Sequence, residues 1–312
     1  MQTDTTIPPV AGQVEADGRL VAWRLLAAAA VALVGAAACY LLLVRTSLGQ
    51  RFDNAAVLGS RQALPSARAL DGEQLRHITS DSFAVVLIAL VAIGLLRRRV
   101  WLGVAAALAA GIAVVGTDVL KDWILTRPDL TTTDFLAPNQ TFPSGHTATA
   151  VACALALMLV SPPRWRGLAA VVAGAYAWVV AAQVQTAGWH RPSDAIAGAL
   201  LAFASVAAVG AVVAWLRPVA VRWSRPHHIA LFVLTTVALI ATAATTWGLI
   251  RVLSWIEDHL RDPQTTTYIR HDAYLTGVSV TVLVVVLLVM ALLVLLGGTD
   301  LDHVDPSTTT QP

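Results

Sequence analysis

Eight runs of mostly apolar residues divide this 312-residue chain, at about 21–44, 82–96, 100–120, 146–161, 167–187, 192–216, 229–250 and 273–297. A helix needs about 20 such residues to cross the hydrocarbon core of a bilayer. Only helices and closed barrels satisfy every backbone polar group in lipid. The runs therefore predict an all-α, polytopic membrane helix bundle. The second and fourth runs are short and need flanking residues to span. Composition agrees: 57% of residues are hydrophobic, only 13% are charged, and mean hydropathy is +0.69. One soluble core of this size could not hide that much apolar surface. The net charge of +2 and the scattered arginines give no footprint for a nucleic acid. Cys39 and Cys153 both lie in apolar runs and read as packing residues, not as a disulfide or metal ligands. The excess of Arg over Lys and the Ala/Val-rich runs hint at a GC-rich bacterial genome.

The run at 21–44 is too long for a signal-peptide core and lacks a clear cleavage site, so it reads as a first span. Three short connections are dense in arginine and free of acids: Arg97 to Arg99, Arg164 with Arg166, and Arg217 with Arg222 and Arg225. By the positive-inside rule these face the cytoplasm of the plasma (inner) membrane, as do both termini. The connections 45–81, 121–145, 188–191 and 251–272 are then outside. Trp101, Trp165, Trp189, Trp215, Trp223 and Trp255 fall near span ends, where indoles prefer to sit. The tail 299–312 is polar and is expected to be mobile. The connection 45–81 has no evident job; a lid is one hypothesis.

Ionisable residues at membrane depth default to a functional reading. Here three patches fall on the same expected outer face. Asp118, Lys121 and Asp122 end the third span, and Arg127-Pro128 follows. Pro143-Ser144-Gly145-His146 opens the fourth. Trp189-His190-Arg191-Pro192-Ser193-Asp194 leads into the sixth. Pro and Ser suit a helix start, and Gly145 lets backbone approach a ligand. Free N–H groups at such a start favour an anion. His190 and Asp194, four apart, share one face of a helix. A carboxylate on one imidazole nitrogen leaves the other as nucleophile or base. Lys121 and Arg127 add positive charge, and an arginine fork fits phosphate. Asp118 and Asp122 read as charge partners of Lys121 or Arg127. Two histidines, an anion-binding turn and two cations describe a phosphoryl-transfer site.

These residues resemble the type 2 phosphatidic acid phosphatase (PAP2) superfamily of membrane lipid phosphatases. Its second motif, Pro-Ser-Gly-His, stands at 143–146, and the His-x-x-x-Asp of its third at His190 and Asp194. Its first, a Lys followed by Arg-Pro, stands at Lys121 and Arg127-Pro128, with five intervening residues where the family has six. If the helix ran on, that would turn Lys121 by about 100°. The Ser-Arg of the third motif is replaced by Gln183 and Val184. Gln183, Gln185 or Arg191 are the candidates to stand in for the missing arginine.

The resemblance implies a six-helix core over about 19–216, preceded by a polar cytoplasmic segment 1–18. Two additional C-terminal transmembrane helices with an outer loop (217–298) and a cytoplasmic tail (299–312) follow. It implies that His190 attacks phosphorus and forms a phosphohistidine, that Asp194 orients it, and that His146 is the acid and then the base. Lys121, Arg127, Ser144, Gly145 and Arg191 would hold phosphoryl oxygens, with no metal and no cofactor. The expected substrate is a lipid phosphate or polyprenyl (pyro)phosphate used in cell-envelope chemistry. Membrane lipids are the surroundings, and the last two helices offer a surface for a homo-oligomer or membrane partner. The alternative is a catalytically weak relative that binds lipid head groups or a membrane partner.

Overall fold

The structure, a computed structural model, describes residues 13–15, 17–131, 141–222, 227–258 and 263–302. All eight apolar runs are helical. They correspond to α1 (Gly18–Cys39), α4 (Ser80–Leu96), α5 (Val100–Val119), α6 (Gly145–Val160), α7 (Pro163–Thr186), α8 (Pro192–Leu216), α9 (His228–Asp258) and α10 (Pro263–Leu296). Six are long and apolar enough to cross a membrane alone, counting the π-helical turns that extend α1 and α5. Two fall short of the eight full spans expected. The 16-residue α6 starts at the Ser144 cap and stops before Pro162-Pro163. It spans about 24 Å, less than the ~30 Å hydrocarbon core. The other, α4, passes the length test only together with α3 (Pro65–Leu75), to which it is joined at a 57° bend.

The bundle forms around α8. This helix packs against α1, α5, α6 and α10. Its buried face is rich in small residues, Ala195, Gly198, Ala199, Ala202, Ala207, Gly210, Ala211 and Ala214, with Phe203, Val206 and Val213 among them. Small residues let helix backbones close on each other in lipid, where hydrophobic collapse supplies no driving force. One of the close approaches joins α8 to the start of α6. A methyl group at Gly198 would come within 2.5 Å of the Ser144 carbonyl oxygen, so α8 and the start of α6 touch backbone to backbone. The outward faces carry large apolar residues such as Val31, Val34, Leu96, Phe232 and Leu239, all exposed, as lipid-facing positions should be. Trp101, Trp165 and Trp215 are also exposed; the side chains of Trp223 and Trp255 lie outside the described residues.

Two features were not expected. The connection 45–81 folds into α2 (Ser47–Ser60), capped by Thr46, and α3. Helix α2 packs along α10, and α3 along α7. At the other end of the bundle, β1 (Gln13–Glu15), β2 (Val219–Arg222) and β3 (Thr299–Leu301) form an antiparallel sheet in the order β1-β2-β3. The start of the tail is therefore held, not mobile, through Asp302; residues 303–312 lie outside the described residues. The arginines of the short connections do the holding. Asp300 lies 3.3 Å from Arg97 and 2.9 Å from Arg99, and Asp302 lies 2.7 Å from Arg217. The buried Arg166 donates to carbonyls of Met158, Ser161, Leu296, Gly297 and Thr299. The sheet puts the segment before α1, the α8–α9 connection and the segment after α10 at one end of the bundle.

Candidate active site

At the opposite end, the residues of the three patches converge. Ser144 is the N-cap of α6: its Oγ accepts from the Thr147 amide, and its own amide donates to the Asp194 carbonyl oxygen at 2.9 Å. This fully buried serine thus ties the two helix starts together, and its polar atoms are committed within the protein. Gly145 follows with half-exposed backbone. A methyl group there would stand 3.5 Å from Oδ1 of Asp118. Asp118 in turn pairs with Lys121 at 2.9 Å, the partnership expected from the sequence. Lys121 lies in a π-helical turn, Leu120–Ile124. Such a turn carries i→i+5 bonds and rotates less per residue than an α-helix, so the helix does not run on as the 100° argument assumed.

The turn after α7 presents His190. Gly188 takes φ +72°, a conformation open to glycine at little cost. The amides of Trp189 and His190 both donate to the Val184 carbonyl oxygen. Val184 itself is wholly buried in the core. Pro192 then starts α8, and Asp194 in its first turn accepts the Arg191 amide at 2.9 Å and the Thr141 hydroxyl at 2.6 Å. The same oxygen, Oδ2, lies 3.4 Å from Nδ1 of His190. Alignment there falls short of a hydrogen bond, and Nδ1 is buried with no other partner. Catalytic contacts of this kind commonly tighten only around substrate. His146 faces His190 across 6.1 Å between ring centroids, and Trp189 packs edge-on to His146 at 5.4 Å. Lys121 and its partner Asp118 lie close enough to His146 for their charges to act on it. Trp189 thus forms a wall of the site.

Behind the histidines lies a buried ionic network. Arg127 Nη2 is 2.7 Å from Asp53 Oδ2, 3.1 Å from Ser193 Oγ and 3.6 Å from Asp194 Oδ1. The Ser193 hydroxyl and amide both donate to Asp53. Burial pushes the Asp53 carboxyl above its ordinary range; Arg127 opposes the push, Asp194 adds to it and Ser193 opposes it. Arg127 therefore pairs with Asp53 and Asp194, and of the two partners expected for Asp118 it is Lys121 that takes it. Arg191 donates from Nε to Asn54 Oδ1 and from Nη1 to Thr141 Oγ1, both at 3.1 Å. Gln183 turns to Asp71 and Gln74 of α3, and Gln185 to Thr281 of α10. These glutamines bond to neighbouring helices, so they do not stand in for the missing arginine. Asp53 and Asn54, both on α2, were missed from sequence; a polar helix in a connection gives no signal of a partner 74 and 137 positions away. Among the described residues, no group of three or more His, Cys, Asp or Glu side chains is arranged to hold a metal ion.

A buried carboxylate behind a histidine, a second histidine facing it and arginines close by lie together at one end of an apolar helix bundle. The segment carrying all eight expected site residues, 99–218, matches the family model described as the PAP2 superfamily, and this segment belongs to it. The match begins at α5, so α1 to α4, α9 and α10 lie beyond it. No curated protein and no solved structure matches the chain significantly. Membership of this superfamily supports a phosphatase-type function in general.

Proposed function

We propose that the chain is a membrane phosphohydrolase that removes phosphate from a lipid phosphate or polyprenyl (pyro)phosphate at the extracytoplasmic face. The observation that carries the reading is the pair His190–Asp194 with His146 across from it. With Nδ1 turned to the buried carboxylate, Nε2 of His190 keeps its lone pair for attack. Nε2 forms a bond to phosphorus as the bond to the leaving oxygen breaks, and His146 gives that oxygen its proton. Water then attacks the phosphohistidine, His146 takes its proton, and inorganic phosphate and free His190 result. Asp194 balances the charge that the imidazole gains while phosphorylated. Lys121 and the Gly145 amide stand on the His146 side, where fixed donors to developing negative charge matter most, and Arg127 supports the site from behind through Asp194. The lipid chain enters sideways between helices. The arginine-rich end that binds β3 is the cytoplasmic one by the positive-inside rule, which sets the histidines outside.

The test is phosphate release by purified protein in detergent from a panel of lipid phosphates with EDTA present, alongside His190→Ala. Release that survives EDTA and vanishes in the variant is expected. Release that needs a divalent cation, or that His190→Ala retains, overturns the mechanism.

A further inference from the structure

Taking the phosphohydrolase reading as its basis, we infer that Arg68 of α3 supplies the guanidinium that grips the phosphoryl group, in place of the cation lacking at 183–184. Each of the other cations near the histidines already has a protein partner. Arg127 is bound to Asp53, Ser193 and Asp194, Arg191 to Asn54 and Thr141, and Lys121 to Asp118. Arg68 is different. Its Nε is buried and has no hydrogen-bond partner. A donor in that state costs free energy unless a ligand completes it. Its Nη2 would stand 3.5 Å from a methyl group at Gly188, so the guanidinium lies against the turn two residues before His190.

The rest of α3 fixes this placement. Arg68, Gly72 and Leu75 recur at i, i+4 and i+7 and so share one helix face. Gly72 lies under the ring of Trp189, which itself packs on His146, and Leu75 is fully buried. On the flank, Gln183 donates to Asp71 and Gln74, which sets the rotation of α3 about its axis. Gln183, next to the position of the missing arginine, therefore anchors the helix that brings another arginine in. An arginine fork bonds two phosphoryl oxygens at once, which neither neutral Gln183 nor apolar Val184 can do.

Arg68→Gln, Arg68→Lys and, as control, Arg76→Gln at the end of the same helix separate the outcomes. Two readouts are taken on each folded protein: orthovanadate binding by calorimetry and phosphate release from lipid phosphate. Arg68→Gln is expected to lower kcat by about 100-fold, the scale for losing one preorganised charge donor. Its orthovanadate binding should weaken about tenfold or more, as for a lost hydrogen bond to a charged group. Arg68→Lys should recover part of both, since it keeps charge but loses the fork, and Arg76→Gln should change neither. Unchanged orthovanadate binding in Arg68→Gln, or none in the unmutated protein, overturns the inference. If orthovanadate binds in an Arg68-dependent way but no lipid releases phosphate, the inference stands and the phosphohydrolase reading falls. If Arg68→Gln does not fold, Arg68→Lys decides: binding and kcat equal to the unmutated protein overturn the inference.

Discussion

Asp53→Ala tests the buried network behind the histidines. Asp53 is fully buried, and its Oδ2 lies 2.7 Å from Arg127. At that separation, 2.7 Å, the Coulomb attraction is about 6 kcal/mol for an effective dielectric of about 20. Desolvation of both ions cancels much of this while the pair is intact. Removing one ion leaves the other stranded, which costs about 3–5 kcal/mol. Arg127 retains Asp194 at 3.6 Å, which favours the lower end of that range. The Ser193 hydroxyl and amide lose their shared acceptor as well, at about 1 kcal/mol or more each. A total near 5 kcal/mol corresponds to a melting temperature lowered by roughly 10–20 °C on the scale of about 2–4 °C per kcal/mol that holds for chains of about 150–250 residues. Thermal unfolding in detergent reads that shift directly. Turnover should fall at least about tenfold, because Ser193 and Asp194 are adjacent and small displacements of a nucleophile's support are costly. Asp53→Asn, which keeps an acceptor for the Ser193 amide, should be milder. A melting temperature within about 1 °C of the unmutated protein, with unchanged turnover, would refute the claim that α2 holds the site together.

Two further outcomes follow from packing at either end of the bundle. Gly198→Ala places a methyl group against the Ser144 carbonyl oxygen; α8 must retreat from α6, and we expect about 1–3 kcal/mol of destabilisation with a larger proportional loss of turnover, checked by thermal unfolding and initial rates. Asp300→Ala removes the buried carboxylate between Arg97 and Arg99. It should cost about 3 kcal/mol and expose the C-terminal segment to limited proteolysis, while leaving the Michaelis constant unchanged. Resistance to the protease at the unmutated level would contradict the anchoring role.

The amino-acid sequence exposes some of this site readily and hides the rest, for physical reasons. Helices in lipid are long apolar runs, so α1, α5 and α7 to α10 can be read at sight. Local chemistry is equally plain: Ser144 caps α6, Pro192 opens α8, and Asp194 accepts the Arg191 amide three positions back. What is local in sequence is legible. Asp53 and Asn54 are not, because their partners Arg127 and Arg191 are brought to them only by the fold, through α2 lying on α10. Strands of three or four residues, such as β1 and β3, are too short to show an alternating pattern. Asp300 of β3 and the following Asp302 look like an ordinary polar tail until the arginines of the helix connections are in view. The π-helical turn at Lys121 has no sequence signature either, so a one-residue difference in spacing overstated the expected rotation. Gln183 and Gln185 illustrate the same limit: their donors are compatible with phosphate, but helices α3 and α10 claim them.

The most direct measurement is to catch the phosphoryl group on the protein. Unmutated protein and His146→Ala would be mixed with a lipid phosphate, quenched in alkali within milliseconds to seconds, and mapped by mass spectrometry. The account predicts phosphate on His190, attached at Nε2, and absent in Asp194→Ala and in His190→Ala. Turnover of the lipid with no phosphate on any histidine, or phosphate on a different residue, would contradict it.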